Sequence, residues 1–447
     1  MSLKVRKIKI NSATLCILLV LYVYFIGFFI TYFRIPESVL YVSDVLLVIL
    51  FFINIKKLYK TLFTPGLIRL TCILIILIIC GTFPLTVYEG SFWRWIWALR
   101  NWGRFFLYFT IGISVLTKKE LERFYNFTLK LFHINIVVII FQFLFMKDIL
   151  SQDQMNGLVG RSISGANIIL ILSAITVASA QYFSKQKKFK NTLIVICEGL
   201  LVSVLAELKA VVFFIFLIFF FVMFINLKLT EKQIMRLVFF VIGTIVLMTV
   251  AINMIVKVYP RFANILTLQG IYNEIANPHG YGFAGKIDRL TAVKVINEDF
   301  FNQRGLFTKF FGLGIGNAEY SSFDFLTSDF YRQNGSLYGY LNFTVSIIYL
   351  ETGYIGLILF IAAILVLLNK SMKYLKVCNN PNDLYMFNIS IAGLLIVLIF
   401  VIYNNLQRTD MSLLLAIYAM ASWVVIKDKK KDINNEKNKG ITDRITY

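Results

Sequence analysis

Residues 12–33 read SATLCILLVLYVYFIGFFITYF, an apolar run that follows the basic stretch MSLKVRKIKI at 1–10. A helix crosses a bilayer with about 20 apolar residues, so this run alone suffices for one crossing. Basic residues before it, with no small-residue cleavage site after it, predict a retained start-anchor helix rather than a removed signal. The same pattern recurs along the chain. About twelve candidate spans follow on the length criterion: 12–33, 38–55, 67–88, 97–117, 124–145, 166–183, 191–207, 210–227, 236–258, 340–369, 384–404 and 411–427.

Composition agrees. Of 447 residues, 58% are hydrophobic and 15% charged, and Phe occurs 43 times. Soluble chains carry about 25% charged residues. An ordinary soluble enzyme, a disordered chain and a disulfide-stapled secreted domain are excluded. Lys plus Arg number 45 against 24 Asp plus Glu, a formal charge of +21. The positive residues lie in small clusters between apolar runs, the mark of membrane topology. No zinc spacing or aromatic-basic module accompanies them, so no nucleic-acid partner is expected. Of the five cysteines, four sit inside apolar runs and none forms a CxxC pair, so neither disulfide nor metal site is read.

Alternate connections are basic: Lys4 to Lys9, Lys56 to Lys60, Lys118 to Arg123, Lys185 to Lys190, Lys228 to Arg236, Lys370 to Lys376, and a tail from Lys427. Both termini are therefore expected in the cytoplasm. The expected organisation is spans one to nine over 1–258, an outer loop with short helices over 259–339, three further spans over 340–427, and a tail over 428–447. Within the loop, 286–296 read as an amphipathic helix with Leu290, Val293 and Ile296 on one side.

Lysine dominates the inner set, whereas Arg34, Arg94, Arg100, Arg104, Arg161, Arg261, Arg289, Arg304, Arg332 and Arg408 fall outside. Arginine is preferred where planar, bidentate recognition of phosphate or carboxylate matters. Trp93, Trp97, Arg100 and Arg104 share one helical face. An aromatic belt with snorkelling arginines explains part of this, but a charge as deep as Arg104 usually faces a bundle interior or cavity. Lys209 stands between two close spans after Glu207, where the pair either caps the helices or supplies an ammonium to an anionic pocket. Arg161, in the Gly- and Ser-rich stretch 156–167, opens the sixth span, where backbone NH groups and a helix N-terminus favour anions. Arg408 is the one cation of the last outer turn, 404–410.

Two glycine-rich motifs complete the reading. Phe311-Gly-Leu-Gly-Ile-Gly-Asn317 lies in the long loop, and its glycines let the chain turn close to a ligand or span. Leu350-Glu-Thr-Gly-Tyr-Ile-Gly356 lies inside the tenth apolar run, and predicts a break in that helix.

These two motifs resemble those of the O-antigen polymerase and ligase superfamily. The Glu207-Leu-Lys209-Ala210 junction is similar to its basic-small motif, where Arg is more usual, and Asp288-Arg289 to the Arg-bearing start of its large outer loop. The resemblance implies an all-α polytopic membrane protein similar to glycosyltransferases of the C type, with about twelve helices and one long extracytoplasmic loop. It implies a bacterial cytoplasmic membrane protein that polymerises undecaprenyl-diphosphate-linked oligosaccharide units on the outer face, with no cofactor and no metal. Membrane lipid, a chain-length regulator and a flippase are the other implied partners. Ligases of the family carry a functional His in the loop; the matching stretch here, Arg332-Gln-Asn334, has none, which favours polymerase over ligase. A lipid-linked oligosaccharide flippase is the rival from another class, but it leaves the long loop unexplained.

Cations in place of a metal would lower the barrier to diphosphate departure. Arg100, Arg104, Arg161, Lys209, Lys286 and Arg408 are expected to bind diphosphate or substrate, and Arg289 to act in catalysis. The general base is sought among carboxylates, with Glu351 and Glu319 ahead of Asp324, Asp329 and Asp288. Tyr320, Phe323, Tyr331, Tyr338 and Tyr340 could stack on sugar rings or shield the loop from lipid.

Overall fold

The computed structural model describes residues 11–146, 154–160, 165–227, 231–260, 263–264, 267–277 and 285–429. Arg161, Arg261 and His279 lie outside these residues, as does the chain beyond 429. Every regular element among the described residues is helical. The long helices run in chain order as α1 (Ser12–Phe33), α2 (Val42–Leu62), α3 (Ile68–Thr82), α4 (Phe92–Val115), α5 (Lys118–Phe145), α6 (Gly165–Phe183), α7 (Phe189–Leu205), α8 (Lys209–Asn226) and α9 (Glu231–Val258). Short helices α10 (Leu268–Ile275), α11 (Ala292–Ile296), α12 (Leu306–Phe311) and α13 (Asp329–Tyr338) punctuate the loop. Then come α14 (Thr344–Lys376), α15 (Pro381–Tyr403) and α16 (Ser412–Ala419).

Each of the candidate spans falls on a helix, and eight of these helices are long and apolar enough to cross a membrane. The others differ for physical reasons. α4 is diluted by Arg94, Arg100, Asn101 and Arg104. α7 has only 17 residues. The last run is split by a turn at Met420, between α16 and a further helical stretch over 421–429. In α9, the apolar part described is Ile245–Val258.

The centre of the bundle is α6, which packs on α5, α7, α8 and α15. It is buried over almost its whole length. Its Ser, Ala and Gly residues, which make it a weak hydropathy signal, are what let neighbouring backbones close on it. α15 links α6 to α14 and α16, and α4 packs between α2 and α16.

α14 is broken, as its glycines predict. Gly353 has φ +61° and ψ −160° inside the helix. The loop crosses this break: Leu313 N donates to Leu350 O at 2.8 Å and Gly314 N to Glu351 O at 2.9 Å. A Cβ on Gly353 would meet the backbone of Phe310, and one on Gly312 (φ +74°) the backbone of Glu351 and Thr352. Ile315 N donates to Gly81 O at 2.8 Å, which ties the same segment to α3.

The amphipathic helix expected at 286–296 forms only from Ala292. Asp288 intervenes: its carboxylate accepts from Arg289 N at 2.6 Å and Asn277 N at 3.0 Å. The chain turns at 289–291 before the helix begins. Leu290, expected on one side with Val293 and Ile296, is 56% exposed, while Ile287 and Ile296 are buried.

Candidate functional site

The face of α4 that carries Trp93, Trp97, Arg100 and Arg104 leads from an exposed aromatic rim into a buried ion-pair network. Arg104 forms a two-pronged pair with Asp44 in the first turn of α2: Nε to Oδ1 at 2.6 Å and an Nη to Oδ2 at 2.7 Å. Asp44 also meets Arg100 at 3.5 Å. The remaining Arg104 Nη donates to the Arg408 carbonyl at 3.3 Å. Arg408 in turn pairs with Glu319 from the loop. Asn101 donates to the other Glu319 oxygen at 3.3 Å. Asp410 is also buried, two residues beyond Arg408. Guanidinium groups sit at this depth because carboxylates from separate elements compensate them.

Glu351 is the next link. It is fully buried. Its Oε1 accepts from Gly316 N at 2.9 Å and Ala318 N at 3.4 Å, and its Oε2 from Trp102 Nε1 at 2.8 Å. It thus pins the glycine-rich segment between α14 and α4. Burial, with Glu351 and Tyr331 nearby, pushes the Tyr340 hydroxyl above its usual range, and Tyr340 donates to Ala318 O at 2.9 Å.

Above the network the rim is open. Arg100 stacks 3.5 Å from the Trp97 ring centroid and lies 5.5 Å from that of Tyr41. Phe323 lies 5.9 Å from Tyr41 and 6.1 Å from Trp97. Tyr320 pairs with Tyr331 at 4.8 Å. Tyr320 and Phe323 are about half exposed, at 49% and 48%, whereas Tyr338 and Tyr340 are buried in the loop's own core. Exposed aromatics beside a half-buried guanidinium offer flat apolar faces and a cation together.

A second group lies at the ends of α8 and α15. Arg289 is buried, with its guanidinium 5.0 Å from the Tyr403 ring and 5.5 Å from the Phe343 ring. Its guanidinium lies 3.6 Å from the carboxylate of the adjacent Asp288. Tyr403 also packs on Phe214 of α8 at 5.0 Å. Lys209 begins α8, after a left-handed turn at Glu207 (φ +58°).

Of the residues singled out in the sequence, Arg100, Arg104, Arg408, Glu319 and Glu351 come together in one linked network. Arg289 belongs to the second group, and Lys209 begins the helix that carries its Phe214. Lys286 is exposed, 5.0 Å from the Tyr338 ring. In the glycine-rich approach to α6, Gly157 N and Leu158 N are taken by Gln142 and Asn135 of α5 rather than left for a ligand. Glu351, expected to serve as a general base, has both oxygens engaged in hydrogen bonds and no exposed surface. Asp44 and Trp102 escaped the sequence reading. Asp44 stands in an apolar run, and that unusual placement was the available signal. Compared with known proteins, the chain matches no family model and no curated sequence.

Proposed function

We propose that this chain is a membrane-embedded glycosyltransferase that joins undecaprenyl-diphosphate-linked oligosaccharide units into a surface polysaccharide. In this reading it works on the outer face of a bacterial cytoplasmic membrane, with about twelve crossings and both termini inside. The observation that carries it is the gathering of Arg100 and Arg104 of α4 with Arg408 of the last outer turn, beside the exposed aromatics Tyr41, Trp97, Tyr320 and Phe323. An anionic ligand that also bears sugars suits a rim with those two properties.

In this reading the donor diphosphate rests on Arg100 and Arg408 beneath that rim, and Arg289 and Lys209 are further cations for the leaving group. The bond from the donor anomeric carbon to the diphosphate oxygen breaks as the acceptor hydroxyl oxygen bonds to that carbon. Undecaprenyl diphosphate leaves as an anion, and the fixed guanidinium groups stabilise the charge that develops. Glu319 takes the acceptor proton when Arg408 turns from it toward the phosphate. Surface glycan from cells lacking the gene tests this. Single repeat units in the null and a ladder on complementation support polymerisation. Lipid-linked units retained on the cytoplasmic face of the null point to a flippase instead.

A further inference from the structure

Away from both groups, α5 and α7 carry titratable side chains on a face that no described element covers. His133 Nδ1 lies 2.8 Å from a Glu198 carboxylate oxygen, and the two side chains are 45% and 27% exposed. Glu198 stands near the middle of α7, far from either end. Lys130, one turn before His133 on α5, is exposed and meets no carboxylate among the described residues. The flanking residues are apolar and exposed: Ile134 at 55%, Val137 at 67% and Ile194 at 43%. In a bundle whose helices lie in a bilayer, this stripe would face hydrocarbon, where ionisable residues are costly and normally find a protein partner.

The stripe also indicates what that partner is. It carries donors, Lys130 and His133, beside an acceptor, Glu198. Turned about a two-fold axis, the same stripe offers each donor an acceptor and each acceptor a donor. That reciprocity is what an isologous contact between identical chains requires. Lipid headgroups do not reach the middle of a span. We infer that α5 and α7 form the contact surface of a homodimer, with Lys130 and His133 of one copy meeting Glu198 of the other. This inference rests only on the helices lying in a membrane, and stands apart from the proposed chemistry.

Cys197, next to Glu198, is exposed and provides the probe. The native chain in membranes is treated with a short bismaleimide. Covalent dimers are expected that persist in Cys72→Ser and vanish in Cys197→Ser. In lipid vesicles at low protein density, single-molecule photobleaching should show two copies. His133→Leu with Glu198→Leu should weaken association by about tenfold, the order expected of interhelical polar pairs. A single-copy native chain, Cys197 adducts only with another membrane protein, or dimers unchanged in the double variant would overturn the inference. Photobleaching of the native chain needs no variant, so misfolding of a variant does not shield it.

Discussion

Arg104 grips Asp44 with both prongs of its guanidinium, at 2.6 and 2.7 Å, across 60 residues of sequence. The pair fixes α4 to α2 with both side chains largely buried, at 8% and 15% exposure. Removing one member leaves the other charge uncompensated, which for buried pairs costs about 3–5 kcal/mol. Asp44→Asn should therefore lower thermal stability in detergent strongly. Arg104→Lys, which keeps the charge and loses the fork, should fall between it and the native chain. Equal melting temperatures for all three would show that the pair holds nothing.

Glu351 separates two roles that the sequence left merged. As an anchor, Glu351→Gln turns one acceptor into an amide donor facing either Trp102 Nε1 or the loop NH groups. Limited proteolysis within 312–318 should then accelerate. Adding Trp102→Phe removes a competing donor and should restore protection. A general base predicts otherwise: lost transfer with unchanged proteolysis, and no rescue by the second substitution.

The break in α14 makes a backbone prediction. Gly353→Ala and Gly312→Ala each place a Cβ in the left-handed region against neighbouring backbone. Strain of this kind costs roughly 1–3 kcal/mol before any clash. Gly103→Ala, in α4, meets nothing within 4 Å and should stabilise by about 0.5–1 kcal/mol, since Ala is the better helix former. Thermal unfolding of the three variants checks the order.

At the loop surface, Arg94 pairs with Asp329 at 3.2 Å, the carboxylate 74% exposed. Exposed pairs contribute about 0–1 kcal/mol, so Asp329→Ala should leave stability within that range. Glu319→Gln, at the buried pair with Arg408, should cost several times more. Denaturation of both variants in the same detergent compares them.

The helices were legible in the sequence because each apolar run has to bury its own backbone hydrogen bonds, whichever neighbours it acquires. The Trp93–Arg104 face and the break at Gly353 followed from local spacing and from glycine. The partnerships did not. Arg104 with Asp44 and Arg408 with Glu319 join distant segments, and no local pattern marks which carboxylate a guanidinium will reach. Leu290 departs from its expected side because the chain turns at 289–291 where periodicity alone reads helix. The two roles open to Glu351, general base and loop anchor, are not separable by sequence, because a buried carboxylate signals both equally well.

Glycosyl transfer is the proposed reaction. The most direct test is the purified chain in proteoliposomes with lipid-diphosphate-linked repeat units added from the face opposite the termini. Native protein should yield a ladder of lengthened glycans and release one undecaprenyl diphosphate for each bond formed. Arg289→Ala and Arg100→Ala, folded as judged by their melting, should leave mainly single units. Movement of intact lipid-linked units across the bilayer, with no lengthening, would contradict the account.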